Sequence, residues 1–497
     1  MDVDPYLTLG VSQNASAEEV KAAYRRAARR LHPDVNREHP GAAVQFQDIT
    51  VAYEMLIDPN QRMRYDQSVR GKRETGYTFS LRTTPSRRTV MGLEEAQVIY
   101  LLAEVFPDPS AQQQQQQSRL NLTLVLDRSN SMNGIRLEKV KVAAHRIIDQ
   151  LTPNDIFSVV SFNDYADTVI PATTVTDKPA LKARISLMSA SGGTEIFKGL
   201  SAGVEQNRTY LAPKLVNHII LLTDGNTYGD QDQCMALAHK ANNDGISISA
   251  MGLGQDWNDQ FLDLLASSTG GHCEYISSAN GVVRFLNDHV RNLSNVFAER
   301  LQVSIAPDPD VKLESAFKLA PSPLPLPITD GYIPLGNLQY NRSVSVLFQL
   351  EMPPKMARGF RSLARLVIGG DILANRQQHY QALSDISVEI TQNPSYEETP
   401  NNILDALGKL TLYRMQERAQ EALERGDVQE ATRRLENLAT RLMDMDQPEL
   451  AHQARAEAQQ VAYTSSLSDK GRKALKFQTR QLLLGKGDED QFDDASS

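Results

Sequence analysis

The stretch Leu120–Gly134 reads LNLTLVLDRSNSMNG. Its first half is a near-continuous apolar run, which is typical of a strand in a parallel sheet covered on both faces. Its second half places Asp127, Ser129 and Ser131 just beyond the strand, where open α/β sheets bind their ligands. Alternate residues of such a loop can point their oxygens at one spot, and oxygen ligands suit a hard cation. The stretch therefore predicts a central strand that ends in a candidate cation site.

Two later segments also place oxygen-bearing side chains where they could join this site. Leu215–Asp224 (LVNHIILLTD) is another apolar run that ends in a carboxylate, and Ser191–Glu195 (SGGTE) is a glycine-hinged loop that offers a hydroxyl. Together the three segments resemble the metal-ion-dependent adhesion site of the von Willebrand factor A (VWA) family, whose pattern is Asp-x-Ser-x-Ser, a distant Thr and a distant Asp. The resemblance implies three hydroxyls that contact the ion and two carboxylates that act directly or through water: Ser129, Ser131, Thr194, Asp127 and Asp224.

The ion that this resemblance implies is Mg²⁺, with Mn²⁺ or Ca²⁺ as alternatives. Neutral hydroxyls leave the charge of Mg²⁺ incompletely balanced, and Mg²⁺ keeps waters that another ligand can displace. An acidic side chain of a protein partner can fill that position. The alternative is a degenerate VWA fold in which Asp127 and Ser129 only cap the next helix. Asn130 stands where many family members have Gly, and since Asn tolerates a left-handed backbone, we expect the turn to be kept.

Strands and helices alternate between residues 119 and 298, which predicts a doubly wound α/β sheet. The glycines near Gly252 form no dinucleotide fingerprint, and no phosphate-binding loop is present. The predicted elements are helix Ile135–Leu151, strand Asp155–Phe162, helix Lys178–Met188, helix Ile196–Leu211, strand Leu215–Thr223, helix Gln231–Asn243, strand Ile246–Gly252, helix Asn258–Ser267, strand His272–Ile276 and a last helix over about 281–297.

Residues 1–70 form a predicted helical module. Ser16 and Glu19 make a capping box, and the helix that it starts carries an apolar stripe on one face and a row of basic residues on the other. His32-Pro33-Asp34 ends this helix, and a second amphipathic helix runs to Asp58-Pro59, before NQRMRYD at residues 60–66. This arrangement resembles the J-domain of the DnaJ family.

The J-domain resemblance implies docking to a DnaK-type heat-shock chaperone and stimulation of its ATP hydrolysis. The basic helix face is also an electrostatic surface that can steer an acidic partner. No Gly/Phe-rich segment follows Asp66, and the CxxC zinc motifs of general J-proteins are missing, so another part of the chain must select the client. The implied chaperone-binding residues are His32, Pro33, Asp34, Lys21, Arg25, Arg26 and Arg29.

Strand patterns flank the VWA segment on both sides. Gln67–Gly76 is a linker by composition, and residues 71–118 contain this linker and the first strands, at Tyr77–Arg82 and Glu95–Phe106. Period-two alternation returns across 299–392, around Leu301–Ile305, Val344–Leu350, Ala364–Ile368 and Ile386–Ile390, with proline-rich turns. These strands indicate a β-sandwich into which the VWA domain is inserted.

Residues 399–484 are predicted to be helical, as a hairpin of two or three helices. This region either binds partner helices or serves to cover the sandwich or to self-associate. The basic run Lys470–Arg480 is interpreted as a solvated helix face, and residues 485–497 as a disordered acidic tail. The fold class is thus multidomain: an all-α J-domain, a β-sandwich with an inserted doubly wound, Rossmann-like α/β domain, and a C-terminal helical hairpin.

Composition narrows the function classes. The chain has 497 residues, 41% of them hydrophobic and 23% charged, which is ordinary globular material with room for three or four domains. The net charge of −9 argues against a general nucleic-acid binder. Two cysteines exclude a disulfide framework, and no apolar run is long enough for a membrane span. Without a signal-peptide pattern, a cytoplasmic location is expected.

The function predicted from these patterns is that of a bacterial adaptor, a J-domain co-chaperone that brings a DnaK-type ATPase to a protein held through the metal of the VWA domain. The alternative is a VWA scaffold or regulator of an AAA+ ATPase, with the J-domain secondary. A metal phosphoesterase is a weaker option, because hydrolysis needs a general base or a poised nucleophile. His218 is expected in the core, so the chain is predicted not to be an enzyme.

Overall fold

The computed structural model describes residues 5–9, 11, 15–31, 40–73, 78–108, 117–212, 214–227, 229–328, 332–373, 378–393 and 398–483. The chain forms two compact units that interleave along the sequence. One comprises Met1–Gln114, Leu301–Ile333 and Arg342–Leu407, and the other comprises Gln115–Arg300, Pro334–Asn341 and Gly408–Ser497. The chain thus leaves the first unit and returns to it. No described helix has the length and apolarity needed to cross a membrane.

Four helices open the first unit: α1 (Pro5–Leu9), α2 (Ala17–Leu31), α3 (Pro40–Ile57) and α4 (Pro59–Arg73). The capping box at the start of α2 is confirmed, because Ser16 N–H donates to Glu19 Oε2 at 2.7 Å and Glu19 N–H donates to Ser16 Oγ at 3.2 Å. Tyr6 Oη donates to Asp66 Oδ1 at 2.8 Å and accepts from Arg62 Nε at 2.9 Å. These two bonds tie α4 to α1.

The prediction of a linker at 67–76 is wrong for residues 67–73, which belong to helix α4. Pro59 starts a helix, and residues 67–70 contain no residue that would stop it. The rest of that segment lies outside the described residues. The three strands that follow are β1 (Phe79–Pro85), β2 (Thr89–Met91) and β3 (Gln97–Pro107).

The second unit contains a six-stranded sheet: β4 (Leu120–Asp127), β5 (Ile156–Phe162), β6 (Ala166–Thr174), β7 (Val216–Thr223), β8 (Ser247–Leu253) and β9 (Cys273–Ile276). The strand order is β6-β5-β4-β7-β8-β9. All neighbours run parallel except β6, which pairs antiparallel with β5. Every residue of β4 and β7 is buried, as the two apolar runs predict.

The helices of this domain are α5 (Ile135–Gln150), α6 (Lys178–Ser186), α7 (Ile196–Thr209), α8 (Gln231–Asn243), α9 (Asp259–Ser267) and α10 (Ala279–Ser294). Every predicted element is present, with ends shifted by up to three residues. Strand β6 was not predicted. It is an edge strand of exposed and half-buried residues, with Ile170 alone buried, and it contains Pro171, so it shows no regular apolar alternation.

The remaining strands are β10 (Val296–Pro307), β11 (Lys312–Ala320), β12 (Leu324–Leu326), β13 (Ile333–Gln339), β14 (Val344–Met352), β15 (Gly359–Ile372) and β16 (Gln378–Thr391). They form two five-stranded sheets with the early strands, in the orders β1-β3-β14-β11-β12 and β13-β10-β15-β16-β2. The sheets face each other, since Phe79 of β1 meets Tyr380 of β16 edge-on at 4.8 Å between ring centroids.

Strand β3 pairs antiparallel with β14 over nine residues, from Gln97 opposite Met352 to Val105 opposite Val344. A strand that precedes the α/β domain therefore lies beside one that follows it, as the predicted insertion requires. Residues 296 and 297 belong to β10 and not to the helix predicted there. Strands β2, β11, β12 and β13 were not predicted.

The C-terminal region contains four helices where two or three were predicted: α11 (Asn401–Glu424), α12 (Val428–Asp444), α13 (Pro448–Thr464) and α14 (Asp469–Leu483). The interpretation of Lys470–Arg480 as a solvated face is wrong for most of its cations. Arg480 makes a two-pronged contact with Asp263 at 2.8 and 2.7 Å. Arg472 and Lys476 contact Asp259 at 2.5 and 3.1 Å. We call these contacts the α9–α14 seam.

The seam also has an apolar part. Phe477 of α14 lies 5.8 Å from Trp257 and 6.1 Å from Tyr275, measured between ring centroids. Lys473 Nζ donates to the carbonyl of Trp257 at 2.6 Å. The last helix therefore packs on the α/β domain, a use that the sequence did not predict. The predicted acidic tail at 485–497 lies outside the described residues.

Candidate metal centre

The predicted ligands lie at the switch point of the sheet, which is the place between β4 and β7 where the strand order reverses. Strands β4 and β7 are adjacent and parallel, with Leu126 opposite Leu222. The next strand after β4 is β5, on one side of this pair, and the next strand after β7 is β8, on the other side. Side chains at the carboxyl ends of two such strands converge in the crevice between the loops that follow. Asp127 ends β4 and Asp224 follows β7.

Four of the five predicted residues form one chain of hydrogen bonds. Ser129 N–H donates to Asp127 Oδ1 at 2.8 Å. The hydroxyl oxygens of Ser129 and Ser131 lie 2.9 Å apart, and Ser131 Oγ donates to Asp224 Oδ1 at 2.6 Å. The two serines thus bridge the two carboxylates. Asp127, Ser129 and Asp224 are buried, whereas Ser131 is exposed, so the cluster reaches the surface at one end.

Thr194 joins the cluster through the glycine-hinged loop. Asn130 N–H donates to the carbonyl of Gly192 at 3.0 Å, and Ser191 N–H donates to the carbonyl of Arg128 at 2.8 Å, so this loop is fastened to the serine loop. A Cβ atom on Gly225 would lie 3.1 Å from Thr194 Oγ1, which places this hydroxyl against the residue after Asp224. All five residues therefore lie at the carboxyl end of the central strands, four of them joined by hydrogen bonds and Thr194 beside Gly225.

The capping alternative has little support from the local geometry. Ser129 precedes a 3₁₀ turn (Asn130–Met132), but its side chain makes no capping bond there. Helix α5 has Gly134 as its N-cap, again without a side-chain bond. The loop turns at Asn130 as a right-handed 3₁₀ turn, and the positive φ falls on Gly134 (+80°), so the left-handed tolerance of Asn is not used there.

Asp127 is a buried carboxylate whose two oxygens accept bonds from uncharged groups. Thr223 Oγ1 donates to Oδ2 at 2.6 Å, and the amide of Ser129 donates to Oδ1. Burial raises the pKa of Asp127, these bonds oppose the rise, and the nearby charge of Asp224 adds to it. A cation bound beside this carboxylate would stabilise its charged form.

Two residues of the cluster were missed by sequence reasoning. Thr223 is the donor to Asp127, and Arg136 of α5 contacts Asp224 Oδ2 through Nη1. The same Nη1 lies 3.3 Å from the carbonyl of Ser131. The available signal was position alone, since Thr223 precedes Asp224 and Arg136 follows the serine loop by one helical turn.

The donor set fits a hard divalent ion. It consists of three hydroxyls and two carboxylates, all oxygen ligands of the kind that Mg²⁺, Mn²⁺ and Ca²⁺ bind. Across the described residues, no three His, Cys, Asp or Glu side chains are grouped so as to hold a metal. The fit therefore depends on the hydroxyls of Ser129, Ser131 and Thr194.

The second predicted site is only partly described. Lys21, Arg25 and Arg29 of α2 are exposed on the surface. The side chain of Arg26 and the whole of His32-Pro33-Asp34 lie outside the described residues. His218, predicted in the core, is buried with Nε2 3.1 Å from Ser249 Oγ, and burial lowers its pKa to about 3.

Comparison with protein families gives three matches. Residues 4–66 match the DnaJ domain, and residues 121–289 match the von Willebrand factor type A domain. Residues 401–485 match a family described as "Sll0103-like, C-terminal alpha-helical domain". The predicted combination of a J-domain with a VWA domain is confirmed.

The J-domain has close relatives among DnaJ proteins. It is 55% identical over 67 residues to the chaperone protein DnaJ of Carboxydothermus hydrogenoformans. That match covers 14% of this chain and 18% of the relative, so the chain shares less than a fifth of the length of that DnaJ.

The larger part of the chain has relatives of its own. A solved structure titled "von Willebrand factor type A from Catenulispora acidiphila" superposes with a TM-score of 0.67 at 15% identity, over 81% of this chain and 96% of that one, which shows a shared fold. The uncharacterized protein sll0103 of Synechocystis sp. is 30% identical over 333 residues, 64% of this chain and 78% of the relative. The chain therefore belongs to the family of the Synechocystis protein sll0103, and it carries a DnaJ-type J-domain ahead of the VWA domain.

Proposed function

We propose that this chain is a J-domain co-chaperone that recruits a DnaK-type heat-shock chaperone, and stimulates its ATP hydrolysis, toward protein partners bound through a divalent ion in the VWA domain. The observation that carries the proposal is the hydroxyl–carboxylate cluster at the switch point, with Ser131 at the surface, in a chain that has a J-domain. One module addresses the ATPase and the other addresses the partner.

In this proposal the ion is Mg²⁺, with Mn²⁺ or Ca²⁺ as alternatives. Ser129, Ser131 and Thr194 hold it directly, and Asp127 and Asp224 hold it directly or through water. The bound ion supplies a coordination position for an acidic side chain of the partner. The chain itself prepares the site, because Thr223 and the Ser129 amide fix Asp127, and Ser129 and Ser131 together link it to Asp224.

The J-domain half of the proposal depends on charge and on the DnaJ match. The exposed cations Lys21, Arg25 and Arg29 lie on one helix and can steer an acidic surface of the chaperone during encounter. Arg26 and the His32-Pro33-Asp34 loop complete the proposed docking surface.

The remaining parts of the proposal are negative or general. The two matched modules are of types that typically serve as co-chaperone and adhesion domains, and we propose no catalytic activity for this chain. We also propose a bacterial, cytoplasmic protein without a specific nucleic-acid partner.

Two variants of the full chain separate the two halves. His32→Gln should lose stimulation of purified DnaK ATPase but keep Mg²⁺-dependent capture of partner protein. Asp127→Ala should lose that capture, as wild type does in chelator, but keep ATPase stimulation. If His32→Gln stimulates as wild type does, the co-chaperone function fails and a scaffold or regulator of an AAA+ ATPase becomes the better account. Equal capture with and without chelator would refute the metal bridge.

A further inference from the structure

The two carboxylates of the metal cluster are neutralised unequally. Asp127 accepts from uncharged groups: the Thr223 hydroxyl, the Ser129 amide and the Ser129 side chain. Asp224, whose side chain is fully buried, receives the Ser131 hydroxyl on one oxygen and the Arg136 guanidinium on the other. Two carboxylates and one guanidinium leave the cluster with a single negative charge.

The position of Arg136 is built into the loops around it. Helix α5 begins directly after Gly134, so Arg136 lies in its first turn. Its Nη1 contacts both Asp224 and the carbonyl of Ser131. On the other side, a Cβ on Gly254 would lie 3.5 Å from Arg136 Nη2, which is ordinary packing distance to the loop after β8. The guanidinium is therefore held among the loops after β4, β7 and β8, and the Arg136 side chain is 35% exposed.

A cation held on Asp224 opposes a second cation at the same cluster. A divalent ion bound by Ser129 and Ser131 would sit beside Asp224 Oδ1, within a few ångströms of the guanidinium on Oδ2. Like charges at that separation repel appreciably in a partly buried site, although exposure screens part of the effect. The ion also competes with Arg136 for the charge of Asp224.

We propose that Arg136 is the resident counter-ion of Asp224 and that it lowers the affinity of the VWA site for divalent ions. This inference rests on the metal site of the proposed function. It makes Arg136 a positioning and affinity-setting residue rather than a ligand. Removing its charge should tighten Mg²⁺ binding about tenfold, a change of about 1.4 kcal/mol.

The test is calorimetric titration of the full chain with Mg²⁺ alone, without any partner. Arg136→Gln removes the charge, and Arg136→Lys keeps it. Lys139→Gln removes a charge from the same helix one turn later and serves as the matched control. Asp127→Ala gives the background from Mg²⁺ bound elsewhere on the chain. A second readout is the rise in melting temperature of each variant at one fixed Mg²⁺ concentration, which is larger for the variant that binds Mg²⁺ more tightly.

We expect Arg136→Gln to bind Mg²⁺ about tenfold more tightly than wild type, and Arg136→Lys and Lys139→Gln to stay within about twofold. Unchanged or weaker binding by Arg136→Gln overturns the inference while leaving the metal site intact. Equal tightening in Arg136→Lys also overturns it, because the cause would then be geometry and not charge. If wild type and Arg136→Gln both match the Asp127→Ala background, the metal site itself fails, and the inference with it.

Discussion

Two pairs of carboxylates in the α/β domain are neutralised in opposite ways. Asp127 and Asp224, at the switch point, are linked through Ser129 and Ser131, and one arginine, Arg136, contacts Asp224. Asp259 and Asp263, on α9, face three cations of α14: Arg472, Lys476 and Arg480. The carboxylates of the first pair outnumber the single arginine beside them, whereas the cations of the seam outnumber its two carboxylates.

The pKa directions follow this difference. Burial raises the pKa of Asp127, and its uncharged donors oppose the rise only in part. Burial also acts to raise the pKa of Asp263, but the charge of Arg480, followed by that of Lys476, outweighs it and holds the pKa below its usual value. Asp259 and Asp263, which are outnumbered by the cations of α14, serve structure. Asp127, whose donors are uncharged, remains open to an added ion.

The largest effect is expected at the seam, where Asp259 and Asp263 meet the cations of α14. Arg480→Met leaves Asp263 without its two-pronged partner, and because Arg480 is buried, we expect a loss of about 2–3 kcal/mol in the stability of the seam. Trp257, the single tryptophan of the chain, packs against α14 and reports undocking by its fluorescence in urea. Lys470→Met, an exposed change on the same helix, should cost less than about 0.5 kcal/mol. Equal midpoints for the two variants would show that the seam is not held by this pair.

A smaller effect is expected at the switch-point pair, Asp127 and Asp224. Thr223→Val removes the hydroxyl that donates to Asp127 Oδ2 and leaves a buried carboxylate oxygen without its donor. We expect a loss of about 1.5 kcal/mol in unfolding free energy, measured by urea denaturation in chelator so that no metal contributes. The control is Thr168→Val, an exposed change on the edge strand β6. A loss no larger than in this control would mean that Asp127 does not depend on Thr223.

The seam should also respond to pH in one direction. The pKa values of Asp259 and Asp263 are held below the usual value, since the charges of α14 outweigh the effect of burial. Such groups stabilise the fold above their unfolded pKa of about 3.9, and this contribution is lost as pH falls through the lower folded pKa. Trp257 fluorescence should therefore be constant from about pH 7 to 5 and change only below about pH 4. A transition near pH 6 would contradict the assignment.

The smallest effect is expected for an exposed ion pair in the same region. Arg433 and Glu430 of α12 lie 2.5 Å apart, but the arginine is largely exposed. A double-mutant cycle should give a coupling below about 0.5 kcal/mol for this pair. The same cycle on Arg480 and Asp263 should give several times more. Similar values for the two pairs would mean that burial does not distinguish them.

The sequence predicted the switch-point cluster because its signals are local. Each of the strands β4 and β7 is a long apolar run, and the residues that converge follow directly after those runs. Thr194 was placed by the family pattern and then by its glycine hinge, since nothing in the spacing alone brings residue 194 to residue 225.

The seam was missed because its signals are distant. Arg480 and Asp263 are 217 residues apart in the chain, and a basic run on an amphipathic helix looks the same whether solvent or a carboxylate faces it. Strands β2 and β12 were missed for another reason, since three residues are too few to establish a period. Arg136 was missed because a charged residue in a first helical turn is common.

The most direct test of the contrast between the two carboxylate pairs is an anomalous difference map from a crystal of the full chain soaked in Mn²⁺. The account predicts a peak about 2.0–2.6 Å from the hydroxyl oxygens of Ser129 and Ser131, and no peak at Asp259 and Asp263. A peak at the α9–α14 seam, or none beside Asp127, would contradict it.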